Sequence, residues 1–422
     1  MKFFKHIILI SAFVIAGLYS FSQDTVKVMT YNVLNYGNFT SYCTWNNNDP
    51  YVKEAHLRTI FSYASPDIIG LNEISGSSQV YSQRILDSVL NVDFPGRYAR
   101  GAYFNTTYSS LVNILYYDVS KFSIKSQWSL NDGIRDICFF KLYYNSPDLL
   151  TGDTVFITCI SMHLKAGSTS TDISDRGAET LALMNHINNN NITGNILVMG
   201  DFNVYTNTEA GFQNLVNYSV SSLRFYDPIN KMGNWNNNYY YSDYHTQSTS
   251  LSGSDCAASG GLDDRFDFIL INENIKYNTS KVSYVSNSYT TVGQDGDHYN
   301  QSLSSPANYS APSEVIEALQ IASDHLPVTL KLRINQQTAI ANTYTLSSKL
   351  PSYFGNNIWK LNDLDESEFT NVGIYDVTGR YIMTVRCNNA ENTVSLNELN
   401  KGLYIINYYS NDINKSYKFV RE

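Results

Sequence analysis

Short apolar, β-rich runs recur from residue 26 to residue 332, each carrying or followed by an acid, an amide or an imidazole. The polar islands are Thr30-Tyr31-Asn32, Asn72-Glu73, Met162-His163-Leu164, Gly200-Asp201-Phe202-Asn203, Asp267 and Ser323-Asp324-His325. A run of five to seven apolar residues is too short for a buried helix and suits a strand covered on both faces. Helix-period segments fall between several of these runs. Such a chain must stack sheets with helices outside them, and its islands then gather where strands end.

The segments read as follows. Residues 26–31 alternate and begin with β-branched residues; 67–71, 111–117, 137–143, 155–162, 195–199, 266–271 and 327–332 are further strands. Residues 51–64, 79–90 and 175–188 carry apolar positions at helical spacing, the last with Ser174 or Asp175 as its cap. The expectation is a four-layer α/β sandwich, two packed mixed sheets flanked by helices. Residues 233–261 and 286–310 are rich in Asn, Tyr, Ser and Gly and read as long surface loops.

Composition narrows the function. The formal net charge is −9 and only 16% of residues are charged, which excludes a surface coated with basic patches. It does not exclude phosphate chemistry, because a bound cation supplies positive charge locally. At the N-terminus, Lys2 and Lys5 precede an apolar stretch over 7–19, and small residues follow before Gln23. The expectation is a signal peptide over 1–22, with a membrane anchor as the alternative. No later segment is apolar enough for a transmembrane helix. Of five cysteines, Cys138 and Cys159 lie in apolar runs and read as buried thiols, a bridge being the alternative; Cys43 and Cys256 lie in polar loops and are able to pair.

Each island has a chemical reading. Glu73 follows an apolar strand, where a carboxylate packs poorly but suits Mg²⁺, which prefers oxygen ligands. Asn32 ends the first strand in the same way. Asp201 and Asn203 are two residues apart, so on an extended chain they project to one side. His163 and His325 end or precede strands, positions suited to a phosphate oxygen. Asp267 is an acid inside an apolar strand and needs a partner, for which a histidine is the natural choice. Arg135, just before the strand at 137–143, is a bidentate phosphate donor by type.

In their order these motifs resemble the endonuclease/exonuclease/phosphatase superfamily, the fold of pancreatic-type deoxyribonuclease, bacterial sphingomyelinases and inositol-polyphosphate phosphatases. The resemblance covers 24–333. It is carried by Thr30-Tyr31-Asn32-Val33-Leu34-Asn35, by Pro66-Asp67-Ile68-Ile69-Gly70-Leu71-Asn72-Glu73, and by the islands around His163, Asp201, Asp267 and His325. It implies that Asn32, Glu73 and Asp324 serve the cation, with Mg²⁺ expected and Mn²⁺ or Ca²⁺ as alternatives. It implies that His163, Asp201, Asn203, Asp267 and His325 are catalytic, with Asp201 on the attacking water and Asp267 supporting His325. Arg135 and Asn203 would contact substrate phosphate. One departure stands out: related nucleases support the first histidine with a glutamate, and no acid lies near 111–114. The expectation is that a backbone carbonyl holds His163 instead.

After residue 333 the composition changes. A polar linker over 334–351 is followed, over 352–422, by short strands with turns every 8–12 residues. The segments at 372–380 and 399–406, with the basic ending at 415–421, resemble a type IX secretion sorting domain. That implies passage through the periplasm and delivery to the cell surface or medium, with the type IX machinery as partner. The leading expectation is a secreted metal-dependent nuclease; a sphingomyelinase-like or other phosphoesterase, and a non-catalytic surface protein, are the alternatives. Trp235, Tyr239, Tyr240 and Tyr241 make the first long loop aromatic but too polar for a membrane wedge, and stacking of bases on its tyrosines suits a nucleic-acid strand.

Overall fold

The computed structural model describes residues 21–146, 149, 154–253, 255–337, 354–355, 358–360, 371–376, 380–386, 393–395, 397, 399–409 and 414–421. Met1 to Ser20, most of the expected signal peptide, lie outside the described residues, as do 338–353 and Cys387. The chain divides into one unit over 1–341 and another over 342–422.

In the larger unit the elements run β1 (Phe21–Tyr36), α1 (Pro50–Ala64), β2 (Ile68–Ser75), α2 (Val80–Ile85), β3 (Tyr98–Arg100), β4 (Leu111–Asp118), β5 (Phe122–Asn131), β6 (Asp136–Tyr144) and β7 (Phe156–His163). They continue with α3 (Ser170–Asn189), β8 (Asn195–Asp201), α4 (Ala210–Val216), β9 (Phe225–Tyr226), β10 (Asp267–Asn272), α5 (Glu273–Tyr277), β11 (Val282–Tyr284), β12 (Thr290–Thr291), α6 (Ser313–Ala322) and β13 (Val328–Gln337). One sheet has the order β11-β13-β1-β2-β4-β3, with β12 also on β13; the other has the order β5-β6-β7-β8-β10-β9.

Three apolar clusters explain the layering. Val26, Val28 and Leu330 of the first sheet meet Phe140, Cys159, Met199 and Ile269 of the second between the sheets. Met29, Ile69 and Ile114, from alternate positions, face Leu57 and Ile60 of α1 and Leu319 of α6. Ile160, Val198 and Leu270 of the second sheet pack with Leu183, Met184 and Phe212 of α3 and α4. Strands buried on both faces need no polar alternation, and theirs are nearly continuous in apolar residues. The result is the expected four layers, helix, sheet, sheet, helix.

Register gathers the islands. His163 of β7 lies beside Asp201 of β8, and Asp201 lies beside Asp267 of β10. Asn32 of β1 lies beside Asn72 of β2. Gly200 has φ +142°, and a Cβ there would stand 1.8 Å from the Met162 carbonyl oxygen. Only glycine lets β8 approach β7 so closely at this point.

The structure differs from expectation in several boundaries. α3 begins at Ser170 because Thr169 and Asp172 form a reciprocal capping box, so neither Ser174 nor Asp175 is the cap. The helix expected over 79–90 is α2 followed by a π-helical turn, Leu86–Leu90. β13 runs on to Gln337, past the residue where a linker was expected, because 334–337 pair with β1.

The smaller unit holds β14 (Phe354–Gly355), β15 (Ile358–Lys360), β16 (Asn371–Asp376), β17 (Tyr381–Arg386), β18 (Thr393–Ser395), β19 (Gly402–Tyr409) and β20 (Asn414–Arg421). They form a three-stranded sheet, β14-β15-β18, and a four-stranded sheet, β17-β16-β19-β20.

Candidate active site

Glu73, His163 and Asp201 converge so that one donor atom of each lies within 4.8 Å of the others. His163 Nε2 is 3.8 Å from Glu73 Oε1 and 3.6 Å from Asp201 Oδ2. Asn32 binds the two acids together, its Nδ2 donating to Glu73 Oε1 and to Asp201 Oδ2 at 3.0 Å each. Its oxygen is already taken by the Leu34 N–H. The structure therefore brings Asn32 to the cluster as a donor to the acids, with its oxygen turned away from them.

The backbone around this cluster is unusual. Leu34, Asn35, Glu73 and Asn203 all have positive φ, at 46°, 46°, 64° and 51°. Left-handed residues other than glycine are uncommon, and their clustering marks a site where geometry is imposed. The Asn35 N–H holds Glu73 Oε2 at 2.8 Å, so the irregular turn of chain between Asn32 and Tyr36, near the end of β1, fixes the carboxylate near the end of β2.

A second group surrounds His325. Its Nδ1 is 2.7 Å from Asp267 Oδ2, the pairing expected from an acid buried in a strand. Its Nε2 stands 3.7 Å from Asp201 Oδ2 and 2.7 Å from the side-chain amide of Gln247. Burial alone would push this imidazole down, but the carboxylates of Asp267 and Asp201 win and hold its pKa well above the ordinary value. His163 goes the other way: burial, then Arg135 and His325, hold it well below. Burial pushes the Asp201 carboxyl up to about 7, with His325 opposing.

Asp324 is not one of the three clustered donors. Its Oδ2 accepts from Gln247 Nε2 at 3.2 Å and from the Ala258 N–H at 2.8 Å, while Oδ1 is buried without a partner among the described residues. Asn203 donates from its backbone N–H to Asp201 Oδ1 at 3.0 Å, and its Nδ2 reaches the Leu164 carbonyl at 3.2 Å. Arg135 Nη1 donates to the His163 and Leu164 carbonyls, both at 3.2 Å. It thus grips the loop beneath His163.

One expectation is corrected. No backbone carbonyl holds the His163 ring; its Nδ1 is buried with no hydrogen-bond partner among the described residues. In the strand where no acid was found, Asn113 Oδ1 accepts from Asn72 Nδ2 at 2.7 Å. Asn72 also reaches the Met162 carbonyl and accepts from the Asp201 N–H at 3.1 Å, tying the two sheets together under the site. Trp235, in a stretch expected to be a surface loop, is fully buried against Phe212 and Phe268.

Sequence reading missed Gln247 and Lys53. Gln247 lies in a polar loop with no apolar frame to mark it. Lys53 had a signal: it sits on the buried face of α1 with Leu57, Ile60 and Ala64. Its Nζ donates to the Val33 and Leu34 carbonyls. Burial pushes the amine down to about 7, against the pull of Asp324 and Glu73.

Residues able to hold a cation are therefore present: two carboxylates and one imidazole, with His163 and Asp201 buried and Glu73 partly so. An oxygen-rich set with one nitrogen suits a divalent ion such as Mg²⁺ or Mn²⁺. Among the described residues no helix is long and apolar enough to cross a membrane.

Comparison with known proteins gives the following. Residues 357–422 match the secretion system C-terminal sorting domain. The tail is an export module, and the protein is secreted or held at the cell surface. None of the curated proteins matches the chain. Among solved structures it is similar to an endonuclease/exonuclease/phosphatase family protein from Bacteroides thetaiotaomicron, at 15% identity and TM-score 0.46 over 75% of this chain and 97% of that one. One from Bacteroides vulgatus gives 16% and 0.45 over 74% and 100%, and the human Nocturnin catalytic domain gives 14% and 0.43 over 74% and 97%.

Proposed function

We propose that this is a secreted, metal-dependent phosphodiesterase, and that its substrate is nucleic acid. The observation that carries the reading is the meeting of two unlike groups at Asp201: a cluster of Glu73, His163 and Asp201 able to hold a cation, and the imidazole of His325, 3.7 Å from Asp201 and backed by Asp267 at 2.7 Å. A phosphodiester needs both a positive centre for its oxygens and acid–base groups for water and leaving group. When bound, Mg²⁺ or Mn²⁺ would polarise a phosphate oxygen and acidify water.

In this reading Glu73, Asp201 and His163 hold the cation, and Asn32 keeps the acids in place. Asp201 orients the attacking water together with Asn203. His325 donates to a phosphate oxygen, with its ring fixed by Asp267. Asp324 positions Gln247 and Ala258 around His325, and Arg135 positions the His163 loop. The low net basicity fits a diester steered by the cation and not by lysines. The tail would engage the type IX secretion machinery, so removing 352–422 should leave hydrolysis unchanged and hold the protein in the periplasm.

The deciding assay is the mature chain with Mg²⁺ or Mn²⁺ against single-stranded DNA, plasmid, RNA, sphingomyelin vesicles and bis-p-nitrophenyl phosphate. Glu73→Gln is expected to abolish cation-dependent hydrolysis, about 10³-fold or more, while circular dichroism stays native. Full activity in the folded variant would remove Glu73 from the site. Hydrolysis of sphingomyelin alone would replace nucleic acid by lipid.

A further inference from the structure

Resting on the phosphodiesterase reading, we propose that Phe39, Trp45 and Tyr51 form a stacking platform for the unpaired bases of a single-stranded nucleic acid. The three rings lie between β1 and the first turn of α1. They are 41%, 48% and 55% exposed, and Tyr42 beside them is 53% exposed. Phe39 and Trp45 have ring centroids 5.3 Å apart, and Trp45 and Tyr51 5.6 Å apart. Three large rings in contact with each other and half open to water form an apolar patch that a monomer gains nothing by keeping.

The patch is fixed in place. Arg84 covers one face of Tyr51, with its guanidinium carbon 4.0 Å from the ring centroid. Arg84 is in turn held by the buried Glu54. The loop is pinned at its middle by the Cys43–Cys256 disulfide. Near its ends, Asn38 Nδ2 donates to Asn35 Oδ1 at 2.7 Å and Asn48 Nδ2 to the Asn35 carbonyl at 2.9 Å. Asn35 is the residue whose N–H holds Glu73. The platform is therefore continuous with the cation cluster through one residue, and preorganised for a ligand that reaches both.

The chemistry of the loop selects the occupant. Residues 37–49 contain no Lys or Arg, no Leu, Ile, Val or Met, and five asparagines or aspartates, at Asn38, Asn46, Asn47, Asn48 and Asp49. A lipid surface is met by aliphatic and aromatic wedges with free basic flanks; residues 37–49 supply neither the aliphatic nor the basic part, and the one cation on the rings, Arg84, is paired with Glu54. A duplex offers phosphates to basic side chains and keeps its base faces hidden. An unpaired base has an open apolar face for a ring and a polar edge for an amide. The diester linking such bases then lies toward Glu73.

The test uses the full mature chain. In EDTA, tryptophan fluorescence of the wild type and of Trp45→Phe, whose difference reports Trp45, is followed on titration with a twelve-nucleotide single strand, the same sequence as a duplex, and phosphatidylcholine–sphingomyelin vesicles. The single strand is expected to quench it and the other two are not. With cation, Trp45→Ala and Phe39→Ala should raise KM for the single strand about tenfold, as loss of one stacked base does. kcat should stay within about twofold, Trp45→Tyr should restore KM, and hydrolysis of bis-p-nitrophenyl phosphate reports that the variants are folded. Unchanged KM in active variants, or binding of vesicles or duplex that these variants lose, overturns the proposal. If the wild type hydrolyses nothing, the phosphodiesterase reading fails by itself, and the EDTA titration still decides whether the platform takes single strands.

Discussion

His325 and His163 are the same residue type on two sides of Asp201, and their surroundings make them opposites. His325 has a carboxylate 2.7 Å from Nδ1 and an amide 2.7 Å from Nε2. His163 has a bare Nδ1, and its Nε2 faces two acids at 3.6 and 3.8 Å. The first is held charged by Asp267 and Asp201 against its burial; the second is held neutral by burial and by Arg135 and His325. A charged imidazole donates, and a neutral one offers a lone pair. Under the proposed function the difference would give His325 to the phosphate and His163 to the cation, although a sequence reading gives both the same role.

The largest effect that can break this comparison comes from the paired side. Asp267→Asn and His325→Ala should each lower kcat by about 10² or more, the scale of a general acid–base group. Because Asp267 acts through His325, the double variant should be little worse than the worse single one. Rates on one diester substrate check this. Losses that multiply would show two independent groups, and the asymmetry between the histidines would lose its physical basis.

A smaller effect sharpens the other side. His163→Ala should weaken cation binding at least about tenfold, since losing a proposed ligand should cost no less than disturbing a ligand's supporting residue. His325→Ala should leave cation affinity within about threefold, since Asp267 and Gln247, not the cation cluster, hold its ring. Calorimetric titration with Mn²⁺ measures both. Excess Mn²⁺ should recover much of the His163→Ala rate and none of the His325→Ala rate. Equal loss of affinity in the two variants would erase the distinction.

These contrasts show where the sequence was legible. The strands were plain because runs such as Ile68-Ile69-Gly70-Leu71 have one physical use, and their register then brought Asp201 beside His163 and Asp267. Asp267 announced its partner because an acid in an apolar strand is costly alone. Gln247 was invisible, since a polar residue in a polar loop carries no local conflict. The support of His163 was misread because the absence of a glutamate says nothing of what replaces it; Asn113 serves Asn72 and leaves Nδ1 bare. Trp235 was misjudged because its asparagine-rich neighbours suggest exposure, whereas the packing of Phe212 and Phe268 buries it.

The smallest effect on rate concerns the loop under His163. Glu179 of α3 accepts from the Lys165 N–H at 2.9 Å through Oε2, and its Oε1 is buried without a partner among the described residues. Burial pushes this carboxyl up to about 8, with the Lys165 hydrogen bond opposing. In the unfolded chain the same group titrates at its ordinary value, near 4.5. Between those values the folded state carries a proton that the unfolded state lacks. Stability from Glu179 is therefore complete below about 4.5 and is lost as pH rises through about 8. Each pH unit in that window costs at most about 1.4 kcal/mol. Glu179→Gln keeps an acceptor for Lys165 and cannot ionise, so its thermal midpoint should fall less than wild type between pH 5 and 8. kcat at neutral pH should change by no more than about threefold, a packing-scale change far below that of an acid–base group. Parallel midpoint curves for the two proteins would mean that Glu179 is already ionised in the fold, with Arg135 as its counter-charge. The loop under His163 would then carry a paired charge at Glu179 in place of a buried neutral acid.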